Sequence, residues 1–180
     1  MLIGLLLVAG LLVLAGVAYN RLVARRNRVD STWSDVDVLL RRRHDLVPNL
    51  VSTVQGYAGH EAGVLRQVAE ARAGALAAQG PAARGDAEDS LGSATRSLVA
   101  VAESYPDLKA SHSFVELQEQ LTATEDGIAH ARQFYNDAVF AYNTAVQTLP
   151  TSLLAVPLGF RLRQFFQATA PERAATPLGP

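Results

Sequence analysis

Apolar residues recur at alternating spacings of three and four along most of the chain. The first ladder of this kind runs over residues 29–75, and only Arg43 and Glu61 interrupt it. Such spacing places the apolar side chains in one stripe of an α-helix, which then packs at a shallow angle against neighbouring helices. The pattern therefore predicts a long first helix in which two charged residues occupy positions suited to core side chains.

Helix breakers set the end of this first predicted helix and leave its start open. Gly80-Pro81 and the polar residues after it end the helix near Ala78. The helix either continues from the apolar N-terminal segment or begins afresh at Asp30-Ser31, which can act as a cap. Pro48 removes an amide from the helical hydrogen-bond ladder, so we expect a kink there.

Two further ladders predict a second and a third helix. The second covers residues 87–105 and ends before Pro106, and the third covers residues 114–149. Residues 113–116, Ser-Phe-Val-Glu, fit a capping box at the start of the third helix. Because the connections are short, neighbouring helices should run in opposite directions. The predicted fold is all-α: an elongated up-down-up antiparallel helical bundle with three main helices, of which helices 1 and 3 are long.

The third ladder contains a near-repeat of seven residues. Tyr135 and Tyr142 occupy one position of the heptad, while Ala138 and Ala145 occupy the next apolar position. Large and small side chains then alternate along the seam, which lets facing helices interdigitate. The repeat therefore indicates helix packing.

The N-terminal segment predicts a membrane anchor. Residues 2–18 are uncharged and almost wholly apolar, and Tyr19 follows at the position of an interfacial aromatic residue. At a rise of about 1.5 Å per residue, this run covers most of a hydrocarbon core of roughly 30 Å. A cleaved signal peptide is the competing interpretation, since Gly16-Val17-Ala18 resembles a cleavage site.

Charge placement favours the uncleaved anchor. No basic region precedes the apolar run, whereas four arginines follow it at once: Arg21, Arg25, Arg26 and Arg28. The positive-inside rule then places the N-terminus outside and the rest of the chain in the cytoplasm. The lipid bilayer, contacted through residues 2–19, is thus a predicted partner.

The predicted organisation has four parts. Residues 1–20 form a single transmembrane helix, and residues 21–150 form a cytoplasmic helical bundle. Residues 151–167 are largely apolar, although Pro157 and Gly159 interrupt them and Pro150 precedes them. We expect this segment to pack on the bundle, or else to contact the membrane or a partner. Residues 168–180 are rich in alanine and proline, which predicts a disordered tail.

Composition narrows the possible functions. The chain has 16 basic and 17 acidic residues, so no global field attracts nucleic acid, and we expect no nucleic-acid partner. It has no cysteine, which excludes disulfides, thiol catalysis and cysteine metal sites. The high content of alanine and leucine is typical of helical proteins.

Polar residues on or beside the apolar seams predict a structural polar network. Charges at such positions are costly to bury alone and therefore need partners. The triplet Arg41-Arg42-Arg43 spans most of a helix circumference, so one of the three faces the bundle. Six residues make up the predicted network: Arg43, Glu61, Glu125, Arg132, Asn136 and Asn143. Its expected role is to fix helix register and partner choice, with a buried binding or catalytic centre as the less favoured interpretation.

No pattern of catalytic or cofactor-binding residues stands out. A di-metal helical bundle needs Glu-x-x-His elements, and the sequence has none. There is no glycine-rich phosphate loop and no nucleophile elbow. The four histidines are scattered and are expected at surface or boundary positions: His44, His60, His112 and His130. We therefore expect no catalytic residues, no metal and no cofactor.

Five stretches, in order along the chain, together resemble the LemA family of bacterial proteins. They are YNRLVARRN at 19–27, LLRRRHDLVPNLVSTVQGYAGHE at 39–61, AR at 71–72, AESYPDLKAS at 102–111 and TEDGIAHARQFYNDAVFAYN at 124–143. The resemblance implies an N-terminal transmembrane helix with a short outside end and a cytoplasmic bundle of long helices. The expected location is thus the bacterial cytoplasmic (inner) membrane. The resemblance brings no catalytic residues and leaves the biochemical role open.

Three functions remain open at this point. The first is a non-enzymatic scaffold or adaptor that holds a helical bundle at the membrane and binds another membrane-associated protein or a second copy of itself. The second is an accessory regulator of a membrane enzyme such as a protease. The third is an enzyme that uses the polar network, in which case alanine at Glu125 and Arg132 would abolish turnover without unfolding the bundle. We expect a scaffold rather than an enzyme.

Overall fold

The computed structural model describes residues 1–166 and confirms the all-α prediction; within that range there are helices and no strands. The predicted tail at residues 168–180 lies outside the described residues. The helices are α1 (Leu2–Tyr57), α2 (Ala62–Ala77), α3 (Pro81–Ala102), α4 (Pro106–Lys109), α5 (His112–Gln147) and α6 (Ser152–Ala155).

The prediction that one helix runs to Ala78 is wrong. Helix α1 continues without interruption from the apolar segment and through Pro48, but it ends at Tyr57, and α2 begins at Ala62. The turn between them is tied down by Ala58, which is fully buried and whose carbonyl accepts a bond of 3.1 Å from the amide of Glu61. The helix therefore breaks at the glycines Gly56 and Gly59, which destabilise a helix, and not at Pro48.

The chain forms two compact units. The first contains Met1–Asp35 and Ala131–Phe165, and the second contains Val36–His130 together with Phe166 among the described residues. In the first unit, the rings of Trp33 and Tyr135 pack at a tilt of 57°, with their centroids 5.2 Å apart. Arg25 donates a 2.7 Å bond to the carbonyl of Ala141. Because contacts move back along α1 as they advance along α5, the two helices are antiparallel in this unit.

The second unit contains four main helical segments, from α1, α2, α3 and α5, besides the short α4. Asp37 pairs with Arg84, and Arg43 with Glu88, so α1 and α3 run in the same direction. Segment α2 runs back along α1, since Arg72 near its end donates to the carbonyl of His44 at 3.1 Å. Helix α5 also runs against α1. The unit is therefore an up-down-up-down arrangement of four segments, one more than the sequence pattern predicts.

The apolar ladders form the core of the second unit. Its largest fully buried side chains are Phe114 and Phe166, followed by leucines of α1, α3 and the short α4: Leu40, Leu50, Leu91, Leu98 and Leu108. A fully buried leucine contributes about 1.5–3 kcal/mol relative to an exposed one. The core thus holds α3 against α1, which positions the polar groups described below.

The start of α1 is exposed. Among the described residues 1–166, α1 contains the one stretch long and apolar enough to cross a membrane. Its leucines and valines stand open over residues 2–14, whereas Leu22 and Val29, further along α1, are buried in the first unit. An exposed run of large apolar side chains on a single helix is what a bilayer, rather than water, would accommodate.

The tyrosines of the seven-residue repeat bind the chain that follows α6. The hydroxyl of Tyr135 donates to the carbonyl of Gln164 at 2.8 Å, and that of Tyr142 donates to Arg161 at 3.0 Å. The amide of Asn143 makes two 2.9 Å bonds with the main chain of Arg163. Residues 161–164 therefore lie along α5, within the first unit, and the repeat sets where they lie.

Candidate functional site

The polar centre of the second unit is a buried cluster of charged side chains from three helices. Arg43 of α1 pairs with Glu88 of α3 through Nη2 and Oε2, and its Nη1 donates to Oε1 of Glu125 on α5 at 2.8 Å. Nη2 also donates to the main-chain carbonyl of Glu88 at 3.0 Å. His44 lies 2.7 Å from the other carboxylate oxygen of Glu88. We call these four residues the Arg43 cluster.

Burial and charge act in opposite directions on Arg43. Its side chain is only 3% exposed, and this burial lowers the pKa of the guanidinium. The charges of Glu125 and Glu88, with their hydrogen bonds, outweigh burial and raise the pKa of Arg43 overall. The guanidinium therefore stays charged in the interior of the unit.

Glu88 is held as a carboxylate by its neighbours. Burial alone raises the pKa of Glu88, but the hydrogen bond with His44 and the charge of Arg43 outweigh it, so the pKa of Glu88 lies below its ordinary value. An ionised carboxylate only accepts hydrogen bonds, so Nε2 of His44 carries the proton in this contact. Both oxygens of Glu88 are thus engaged within the protein.

A glycine makes room for the cluster. A side chain at Gly92 would place its Cβ 3.3 Å from Nη1 of Arg43, 3.4 Å from Nη1 of Arg96 and 3.7 Å from Oε2 of Glu125. The first distance is tighter than ordinary van der Waals contact, and the second lies at its lower limit. Glycine at this position therefore lets the guanidinium of Arg43 reach between α3 and α5.

A groove between α3 and α5 opens beside the cluster. It has a volume of about 340 Å³, and it is lined by Gly92, Thr95, Arg96, Val99, Ala100 and Glu103 of α3 and by Gln118, Leu121, Thr122, Glu125 and Asp126 of α5. A second cavity of about 340 Å³ adjoins it and reaches Arg43 and Glu88. Gly92, Arg96 and Glu125 line both. We call the first of these the α3–α5 groove.

The structure distributes the six residues of the predicted network. Arg43 and Glu125 meet directly, as described above. Glu61, at the start of α2, lies 3.5 Å from the hydroxyl of Tyr105. The others, Arg132, Asn136 and Asn143, belong to the first unit, where Asn143 binds the main chain of Arg163.

Two cluster residues escape the sequence-based prediction. His44 is buried rather than at the surface, because it lies one residue after Arg43 and shares its carboxylate partner. Glu88 lies one position beside the apolar ladder of α3, in a second stripe with small neighbours. That stripe, Gly85, Glu88, Gly92 and Thr95, is buried along its length. A single acid among small residues at spacings of three and four is the signal that could have identified it.

The chemistry available to the Arg43 cluster is pairing of fixed charges. Within residues 1–166, no group of three or more histidine or carboxylate side chains is arranged to hold a metal ion. Both oxygens of Glu88 and both Nη atoms of Arg43 bind one another or their neighbours, whereas the buried Nε of Arg43 has no hydrogen-bond partner within residues 1–166. Glu125 is the cluster's partly exposed member, with 37% of its side chain exposed. The cluster can therefore fix the register of three helices and present one carboxylate to the groove.

Comparison with known proteins supports the family assignment. The profile of the LemA family matches residues 32–178. The chain is 26% identical over 193 residues to magnetosome protein MamQ 2 of Paramagnetospirillum magneticum, an alignment that covers 93% of this chain and 71% of the relative. It is 24% identical over 158 residues to protein LemA of Metamycoplasma hominis, which covers 86% of this chain and 71% of that relative.

The magnetosome protein MamQ of Magnetospirillum gryphiswaldense is 24% identical over 174 residues, and the alignment covers 82% of this chain and 64% of the relative. The matched region includes all of the Arg43 cluster and the α3–α5 groove. With its apolar start to α1 and its wholly helical described residues, the chain is a membrane-associated protein that belongs to the LemA family.

Proposed function

We propose that this protein is a single-pass membrane scaffold without enzymatic activity. Its α1 segment crosses the bacterial cytoplasmic membrane, with the N-terminus outside and the helical units in the cytoplasm. The arginines that directly follow the apolar run support this orientation through the positive-inside rule. The membrane-associated LemA family supports the location.

The observation that carries the scaffold proposal is the α3–α5 groove. Grooves between helices take up the apolar face of an amphipathic helix from a partner. Leu121 and Val99 supply the apolar lining, and the acidic residues Glu103 and Asp126 outnumber the single base Arg96 once Glu125 is neutralised by Arg43. The groove therefore suits a helix of a membrane-associated partner that carries lysine or arginine beside its apolar stripe.

The experiment is photo-crosslinking in living cells from the full-length protein. Ala100 and Thr122 are exposed residues that line the groove from opposite sides, while Gln67 is an exposed residue on α2 that serves as the matched control. Each is replaced in turn by a photoreactive amino acid. Mass spectrometry then identifies the peptide captured at each position.

The proposal expects one basic, amphipathic helical peptide, captured from both groove positions and not from Gln67. Val99→Asp, which places a charge on the apolar lining, should reduce that capture several-fold. Equal capture from all three positions, capture of this chain itself, or an unchanged yield with Val99→Asp would overturn the groove as the partner site.

A further inference from the structure

The short stretch of chain around α6 exposes four large apolar side chains. We call residues 148–159, between α5 and Phe160, the α6 loop. Its exposed apolar residues are Leu149, Leu153, Val156 and Leu158, and Val156 is 79% exposed. An apolar patch of this kind in a water-soluble surface is unfavourable, and it usually marks a contact with a protein or a membrane.

The end of α5 lies level with the end of the apolar run of α1. Arg25 contacts Ala141, and the two helices are antiparallel in the first unit. Tyr19 and Gln147 are each six residues from this contact, a distance of about 9 Å along either helix. The α6 loop begins after Gln147, so it starts at the level of Tyr19.

Side-chain burial within the first unit independently places the α6 loop beside the end of the apolar run of α1. Ala18, the last residue of the apolar run, is only 7% exposed, and Ala15 is partly covered, although their neighbours on other faces stand open. The ring of Phe160, where the loop ends, meets the ring of Tyr19 edge-on at 5.9 Å. Ala155 of α6 is fully buried. The α6 loop therefore packs beside the last turns of the apolar run.

The charges around the loop match an anionic lipid surface. No acidic residue occurs over residues 138–166, whereas Arg161 and Arg163 follow the loop, Arg163 being paired with Asp30 of α1 at 2.9 Å. On α1, four arginines lie just past Tyr19, and Arg26 sits over the Phe160 ring at 5.5 Å from its centre. An apolar tip with arginines behind it is the composition of segments that lie in the membrane interface.

We propose that the α6 loop is a second membrane contact, which lies in the interfacial layer of the bilayer that α1 crosses. Leu153 and Val156 enter the boundary between headgroups and acyl chains, at a depth of about 5–10 Å, while Arg161 faces the lipid phosphates. This inference rests on the proposed function, because it requires α1 to span the bilayer. The two contacts together would fix the rotation of α1 about its own axis.

The absence of cysteine makes the test direct. Single cysteines are introduced at Leu153 and Val156 in the full chain, and each is labelled with a nitroxide. Leu12→Cys in the apolar run is the reference for the bilayer, and Val38→Cys, an exposed residue of the second unit, is the reference for water. The protein is reconstituted into vesicles of phosphatidylcholine with a minority of phosphatidylglycerol, and label collisions with oxygen and with a water-soluble nickel chelate are measured.

The labels at Leu153 and Val156 should show a ratio of oxygen to nickel accessibility several-fold above that at Val38 and below that at Leu12. A ratio equal to that at Val38 would place the loop in water and overturn the inference while leaving the anchor intact. Shielding from both reagents would mean that protein covers the loop, which also overturns it. A Leu12 label that is open to nickel would overturn the membrane span and the inference together.

Discussion

Glu88→Gln tests whether the Arg43 cluster stabilises the second unit. The substitution keeps the size of the side chain and an oxygen that can accept from Arg43, but it removes the charge. The side chains of Arg43 and Glu88 are 3% and 2% exposed, so neither is screened by water. The variant would leave a buried guanidinium with Glu125, itself half exposed, as its remaining charged partner.

Removing one partner of a buried ion pair costs about 3–5 kcal/mol. Since Glu125 still neutralises part of the charge, we expect about 3 kcal/mol, the lower end of that range. For a chain of this size, about 1 kcal/mol lowers the melting temperature by roughly 2–4 °C, so the expected loss is about 6–12 °C. Glu125→Gln removes a partly exposed partner and should cost about 1 kcal/mol or less.

The assay is urea denaturation of the full-length protein in detergent, followed by far-UV circular dichroism. Glu119→Gln is the matched control, because Glu119 lies exposed on α5. This control should change the free energy of unfolding by no more than about 0.5 kcal/mol. If Glu88→Gln costs no more than Glu119→Gln, the buried pairing gives the unit no net stability and the reasoning fails.

The wild type and Glu88→Gln can also be compared as a function of pH. The pKa of Glu88 in the folded protein lies below its ordinary value of 4.5, so on acidification the unfolded chain takes up this proton first. The contribution of Glu88 is therefore fully present above pH about 4.5 and is lost as the pH falls through its folded pKa. The stability difference between the wild type and Glu88→Gln should shrink over that range. A difference that stays constant down to pH about 3 would contradict the assigned ion pair.

Three further predictions concern single positions. Gly74 lies at an exposed helical site where an added Cβ would have no atom within 4 Å, so Gly74→Ala should stabilise the protein by about 0.4–1 kcal/mol. Gly92→Ala should stabilise the protein less, or destabilise it, because the added Cβ crowds Arg43. Urea denaturation compares the two variants, and equal gains in stability would refute the crowding. Tyr142→Phe removes the bond to the carbonyl of Arg161 and should cost about 1 kcal/mol, seen as faster hydrogen exchange at residues 160–165, while the exposed control Tyr57→Phe should leave exchange there unchanged. Burial raises the pKa of Tyr135 to about 12, so the folded state resists ionisation of this tyrosine and the stability of the protein falls as the pH rises from about 10 to about 12. In an ultraviolet titration of tyrosine ionisation, the step at the highest pH should disappear in Tyr135→Phe. If that step is retained, it belongs to another tyrosine.

The polar residues of α1 show how far periodicity carries. Its spacing predicts that one of Arg41, Arg42 and Arg43 faces the bundle, and Arg43 is the buried one. It also indicates that a buried arginine needs a carboxylate. Glu125 is among the candidates the pattern supplies, but Glu88 and His44 are not, because a helical period identifies a face and not the residue on another helix that meets it.

The break between α1 and α2 is another limit of the pattern. The apolar ladder stays in phase through Val54, Tyr57, Val64 and Val68, so it reads as one helix. The chain nonetheless turns at Ala58 and packs α2 back on α1, burying Val54 and Val68 fully in one core. In the sequence, only Gly56 and Gly59 indicate this turn, and a single long helix that contains both glycines fits the apolar spacing equally well.

The sequence by itself determined the features that depend on local order along the chain. These are the helical class, the apolar start of α1 and the register of the tyrosine repeat, because each follows from spacing within one segment. Only the tertiary structure decided which distant groups meet: the fold-back at Ala58, the partners of Arg43, and the binding of residues 161–164 by Tyr135 and Tyr142. Those outcomes depend on burial of surfaces from several segments at once, and no single stretch of sequence contains that information.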